Sequence, residues 1–157
     1  MAPLLTACSG FLLAILWMDL IFDVQVLGHR KHRNKGADLP EPVLASVAAY
    51  YHRATTTSRP MSRLIAFVML ILFGALGFQA THGHDPGWLL VTSAILAGVP
   101  MVLALTHTVP HAVRLGKRTD GPPEQSRLAW SICRDHLICA GSMLAFLVLW
   151  VAHSVAI

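Results

Sequence analysis

Four stretches of the chain are long, apolar and free of lysine and arginine, and they constrain the fold more than any other feature. They cover residues 4–27, 64–80, 88–109 and 137–157. A helix needs about 20 mostly apolar residues to cross roughly 30 Å of hydrocarbon, and each stretch reaches or approaches that length. Backbone polar groups find no partner in lipid, so spanning segments of this kind must be helices. The pattern therefore predicts an all-α chain, a single integral membrane domain over 1–157 built as a four-transmembrane-helix bundle. Charged residues make up only 13% of the chain, about half the share of a soluble domain and too few to coat a soluble surface.

All twelve lysines and arginines fall between Arg30 and Arg63 or between Arg114 and Arg134. These are the first and third connections, 28–63 and 110–136, and the positive-inside rule places both in the cytoplasm. The expected location is an inner or plasma membrane, with both termini and the loop around Gly83 outside. The run His29-Arg30-Lys31-His32-Arg33-Asn34-Lys35 would then meet anionic headgroups, each basic residue contributing about 1 kcal/mol near the surface. No glycine-rich phosphate loop or nucleic-acid motif accompanies the positive charge, so its expected partner is the bilayer and not nucleic acid.

Within the first connection, Asp38 and Pro40 mark a helix start, and Val43, Leu44, Val47 and Tyr51 recur at helical spacing. This predicts a short amphipathic interfacial helix over 40–54 on the cytoplasmic surface, between the first and second spans. In the third connection, Gly121-Pro122-Pro123 predicts a loop over 116–125. Leu5-Thr6-Ala7-Cys8 matches a lipoprotein cleavage box, but only seven residues precede the cysteine and none is basic. The first apolar stretch is therefore expected to stay as a helix. Cys8, Cys133 and Cys139 imply no disulfide framework. Ala94 with Gly98, and Gly141 with Ala145, suit close helix contact within the bundle or with a second copy.

Several polar residues are out of place in such segments. Asp19 and Asp23 lie one helical turn apart near the inner end of the first span, with Asp19 roughly 6 Å deeper. An ionised aspartate at mid-membrane costs about 2.5 to 3.5 kcal/mol, so each should have a partner or a purpose. The third span ends in Thr106-His107-Thr108-Val109-Pro110-His111, where the proline leaves the Thr106 carbonyl without its helical partner. The fourth opens on Arg134-Asp135-His136 at the same level.

Imidazole and carboxylate groups on facing helices suit a transition metal, and a haem is a second use of the same histidines. The expected metal ligands are Asp19, Asp23, His107 and His111, with iron or copper as the metal. The competing reading pairs Asp19 or Asp23 with Arg134 or Arg63, and a third makes Asp19 part of a proton or ion path. His52, beside Tyr50 and Tyr51, is read as an interfacial residue within reach of this edge, where it would act as a lid. Thr81-His82-Gly83-His84-Asp85, with His153 nearby, reads as a loop at the opposite end, with a second-rank metal site as its alternative.

This layout resembles the small anthrone-oxygenase-like integral membrane proteins. A long first helix, an amphipathic segment and three further helices carry the resemblance, with Val109-Pro110 closing the third span and Trp130 and Arg134 opening the fourth. The resemblance implies a four-helix membrane protein, some of whose relatives oxygenate polycyclic aromatic substrates. It would make Trp130 and Arg134 part of the site and Pro110 a structural hinge. Ala112 and Ser131 stand where that family carries asparagines, and the pair Asp19 and Asp23 is not part of its pattern.

The leading expectation is a membrane-embedded oxidoreductase or oxygenase acting on a lipophilic small molecule. Arg134 would hold an anionic oxygen and Asp135 would orient His136, with Trp130 completing the catalytic group. The alternatives are a non-catalytic subunit or stabilising partner of a larger membrane complex, and a small proton- or ion-coupled carrier component.

Overall fold

The computed structural model describes residues 1–29, 38–83 and 85–156, with the side chains of positions 59 and 156 left out. The basic run from Arg30 to Lys35, His84 and the terminal Ile157 lie outside the described residues. The elements are α1 (Ala2–Leu27), α2 (Glu41–Thr56), α3 (Arg59–His82), α4 (Gly87–Leu103), a π-helical turn (Ala104–Thr108), α5 (Val109–Lys117) and α6 (Pro122–Ala156). There is no strand among the described residues. Four helical stretches are long and apolar enough to cross a membrane: Ala2–Leu27, Pro60–His82, Gly87–Lys117 and Pro122–Val155.

The third and fourth stretches run further than expected. The helix does not end at Pro110, because the turn before it is wound one residue wider. The Val109 amide donates to the Ala104 carbonyl, five residues back, and the proline then falls at the start of α5, where no amide hydrogen is needed. The loop expected over 116–125 shrinks to residues 118–121. Arg118 closes α5 in the left-handed conformation, with φ 52° and ψ 34°. Pro122 and Pro123 open α6, since their fixed φ suits the first helical turn. Asp120 braces the corner, accepting from Arg114 Nε at 2.9 Å and Arg114 Nη2 at 2.8 Å. At about 1.5 Å per residue, α6 is some 50 Å long and outruns a bilayer core.

Helix α2 forms close to its expected bounds. Leu44, Val47, Ala48 and Tyr51 are buried at helical spacing and point into the protein, against α1, α5 and α6. Two apolar cores result. One, at the α2 end, joins Val26, Leu44, Val47, Leu115, Leu128 and Ile132. The other joins Leu5, Leu12, Leu72, Leu89, Phe146 and Trp150 towards the end carrying Gly83. On α1, Leu12 belongs to one core and Val26 to the other, so Asp19 and Asp23 fall between them. His107 and His111 on the third stretch, and Asp135 and His136 on α6, fall between the same two cores.

Candidate functional site

The buried polar layer divides into two groups on either side of α6. The first is centred on Asp23, whose side chain is fully buried. Tyr51 Oη donates to Asp23 Oδ1 at 2.7 Å, while His136 Nδ1 lies 2.7 Å from Asp23 Oδ2. Both oxygens of the carboxylate are thus engaged. One turn deeper, Tyr50 Oη donates to Asp19 Oδ1 at 2.5 Å, and its ring stacks on Phe22 with centroids 3.9 Å apart. His136 Nε2 stands 4.0 Å from Asp19 Oδ2, so the imidazole sits between two carboxylates. Burial first, and then the nearby Asp23 carboxylate, push the Tyr51 hydroxyl well above its ordinary pKa. It therefore remains a neutral donor.

The second group faces the other way. His107, His111 and Asp135 bring one ligand atom each to within 4.8 Å of one another. His107 Nδ1 is 3.9 Å from Asp135 Oδ2, and the His107 side chain is half exposed while Asp135 is fully buried. The π-helical turn carries His107, and one turn on, α5 carries His111, their ring centroids 5.5 Å apart. Asp135 Oδ1 accepts from Arg134 Nη2 at 3.1 Å. Its Oδ2 has no hydrogen-bond partner, and neither has the buried Nδ1 of His111. An orphaned carboxylate oxygen in a dry interior is costly unless a cation or donor meets it.

Two imidazoles and one carboxylate with open positions form the ligand set of mononuclear non-haem iron sites. Metal–ligand bonds of about 2.1 Å would draw the donors to roughly 3 Å from one another. The group must therefore close by an ångström or more on binding, a movement the exposed His107 side chain is placed to make.

The expected site residues are thus partly regrouped. His107 and His111 come together as expected, with Asp135 as their carboxylate. Asp19 and Asp23 join His136, Tyr50 and Tyr51 instead. His136 is held by Asp23 of α1, and Asp135, expected to orient it, faces His107 and Arg134. Arg134 is exposed at the edge of the layer. Trp130 is half-buried and packs against the core at the α2 end. His52 is exposed, and its backbone sits against Gly116, where an added Cβ would come within 2.9 Å of His52 Cα. Tyr50 and Tyr51 join the polar layer through Asp19 and Asp23, although a Tyr-Tyr pair on an amphipathic helix reads first as an interfacial anchor.

At the opposite end, His153 Nε2 is 2.9 Å from Asp85 Oδ1, and the Gln79 amide donates to Asp85 Oδ2. Partial burial opposes ionisation of Asp85, but the hydrogen bonds from His153 and Gln79 outweigh it and hold the carboxyl below its ordinary range. His82 is turned away from this pair and stacks on Phe78 at 4.7 Å. The arrangement ties the loop between α3 and α4 to the end of α6.

Comparisons with family models, with curated proteins and with solved structures found no match to this chain.

Proposed function

We propose that the protein is a membrane-embedded oxidoreductase of the oxygenase kind, acting on a lipophilic small molecule through a first-row metal held by His107, His111 and Asp135. The observation that carries this reading is the fully buried Asp135 Oδ2, which has no hydrogen-bond partner and stands 3.9 Å from His107 Nδ1, with the His111 imidazole beside them. A bound divalent cation would satisfy it, and the two-histidine, one-carboxylate set favours iron over copper or haem. The exposed Leu105 and Val109 flank His107, which gives an apolar molecule a lateral route from the bilayer. Arg134, beside Asp135, is placed to hold an oxygen of the substrate. The resemblance drawn from Pro110, Trp130 and Arg134 fits the same reading.

The orientation proposed with it puts the α2 end in the cytoplasm, where all twelve basic residues would then lie, with α2 at the inner membrane surface. Elemental analysis and an absorption spectrum of detergent-purified protein test the function. About one iron per chain supports it, and protein that stays metal-free after reconstitution with ferrous iron counts against it.

A second reading, a proton-coupled carrier component, is favoured by His136 standing between Asp19 and Asp23. Flux in proteoliposomes that is unchanged by Asp19→Asn would dismiss it.

A further inference from the structure

A groove of about 530 Å³ opens between α2 and α5, away from the buried polar layer. Its floor is made of small residues, Ala45 and Ala49 on α2 and Gly116 on α5. Gly116 brings the two backbones together: a Cβ there would come within 2.9 Å of both the amide nitrogen and the Cα of His52. Its rim carries His52, Arg53, Lys117 and Arg118, and no acidic residue lines it.

The cations at this end are not equivalent. Arg118 is paired with Glu41 at 2.7 Å, Arg114 with Asp120 at 2.8 Å, and Arg127 with Glu124 at 2.6 Å. Arg53 and Lys117 have no ion pair among the described residues, and both are exposed at the groove. Two unneutralised cations from different helices thus converge over a cleft too shallow in side chains to fill itself.

We propose that this groove binds the headgroup phosphate of an anionic phospholipid. A guanidinium presents paired N–H donors that match phosphate oxygens, and a lysine ammonium adds a point charge. The small-residue floor leaves room for the glycerol portion between the helices. Because the groove lies at the end of the bundle where the basic connections lie, an anionic headgroup is the ligand whose charge complements it. This assignment is independent of the metal reading.

The test is native mass spectrometry of the full-length protein in detergent, titrated with phosphatidylglycerol and separately with phosphatidylcholine. The expected result is a saturable phosphatidylglycerol site that the double variant Arg53→Gln/Lys117→Gln weakens about thirtyfold, with phosphatidylcholine binding weak and unchanged. Both positions are exposed, and an unaltered melting temperature verifies that the variant is folded. Arg127→Gln, an exposed cation outside the groove, should leave binding as it was. Equal loss in Arg127→Gln, unchanged binding in the double variant, or equally tight phosphatidylcholine would overturn the proposal. Displacement of the lipid by millimolar glycerol 3-phosphate would assign the groove to soluble phosphate compounds and overturn the lipid assignment.

Discussion

His136 Nδ1 lies 2.7 Å from Asp23 Oδ2, joining α6 to α1 across the buried layer that separates the two apolar cores. Deleting the Asp23 carboxylate takes a buried hydrogen-bond partner from both Tyr51 and His136, with Asp19 Oδ2 still 4.0 Å from the imidazole, and costs about 1 to 3 kcal/mol for each group left unsatisfied. Asp23→Ala should therefore unfold far more readily than the parent in detergent melts. Asp23→Asn keeps the shape and an acceptor oxygen, so it should lose less, about 1 to 3 kcal/mol. Equal stability of all three proteins would remove the pair from the account.

The same carboxylate fastens α2. Tyr51→Phe deletes a hydrogen bond to a buried charged acceptor and should cost about 1.5 to 3 kcal/mol. Tyr50→Phe should cost less, since Tyr50 is only half-buried and its partner Asp19 is partly exposed. Hydrogen exchange of the amides in Glu41–Thr56 reads the difference directly: faster exchange across α2 in Tyr51→Phe than in Tyr50→Phe. No change in either would mean that the helix is held by apolar packing alone.

At the other end, the loop latch has a predictable pH dependence. The Asp85 carboxyl is held below its ordinary value in the folded protein. A depressed carboxylate contributes stability that is present above the unfolded value of about 3.9 and is lost as pH falls through the folded pKa. Parent protein should accordingly lose stability below about pH 4, and Asp85→Asn should show a flatter acid limb. His153→Phe should flatten it in part, because one of the two hydrogen bonds that hold Asp85 is then gone while that from Gln79 stays. Parallel acid limbs in all three proteins would contradict the latch.

The four long apolar helices were legible because their length and apolarity run residue by residue through the sequence, and lysine and arginine are absent from 1–29, 64–113 and 135–157. The level of the polar layer was legible too, since counting along each helix puts Asp23, His111 and His136 at comparable depth. What counting does not supply is rotation about the helix axis. Asp135 and His136 are adjacent, about 100° apart around α6, so they face different neighbours and split the expected site in two. The inward face of α2 was hidden for a related reason: Leu44, Val47 and Tyr51 fit a lipid surface as well as a protein core. The π-helical turn also escaped reading, because Pro110 alone signals a stop, and whether the helix absorbs it depends on the packing around Thr108. Gly121-Pro122-Pro123 likewise signals a loop, although prolines suit a helix's first turn and open α6 here.

The regrouping makes the proposed ligand set, His107, His111 and Asp135, separable from its neighbours. Losing one ligand of three should reduce metal affinity strongly, whereas altering a nearby carboxylate already engaged by other groups should not. His107→Ala, His111→Ala and Asp135→Asn should each lose bound metal. Asp19→Asn should retain it, because Asp19 is committed to Tyr50 and to the neighbourhood of His136.

The most direct measurement is metal content per chain after reconstitution with ferrous iron and removal of the excess, compared among the parent, Asp135→Asn and Asp19→Asn. The account predicts about one iron in the parent and in Asp19→Asn, and little in Asp135→Asn. Iron absent from all three, or lost equally in Asp19→Asn and Asp135→Asn, would contradict a centre built from His107, His111 and Asp135.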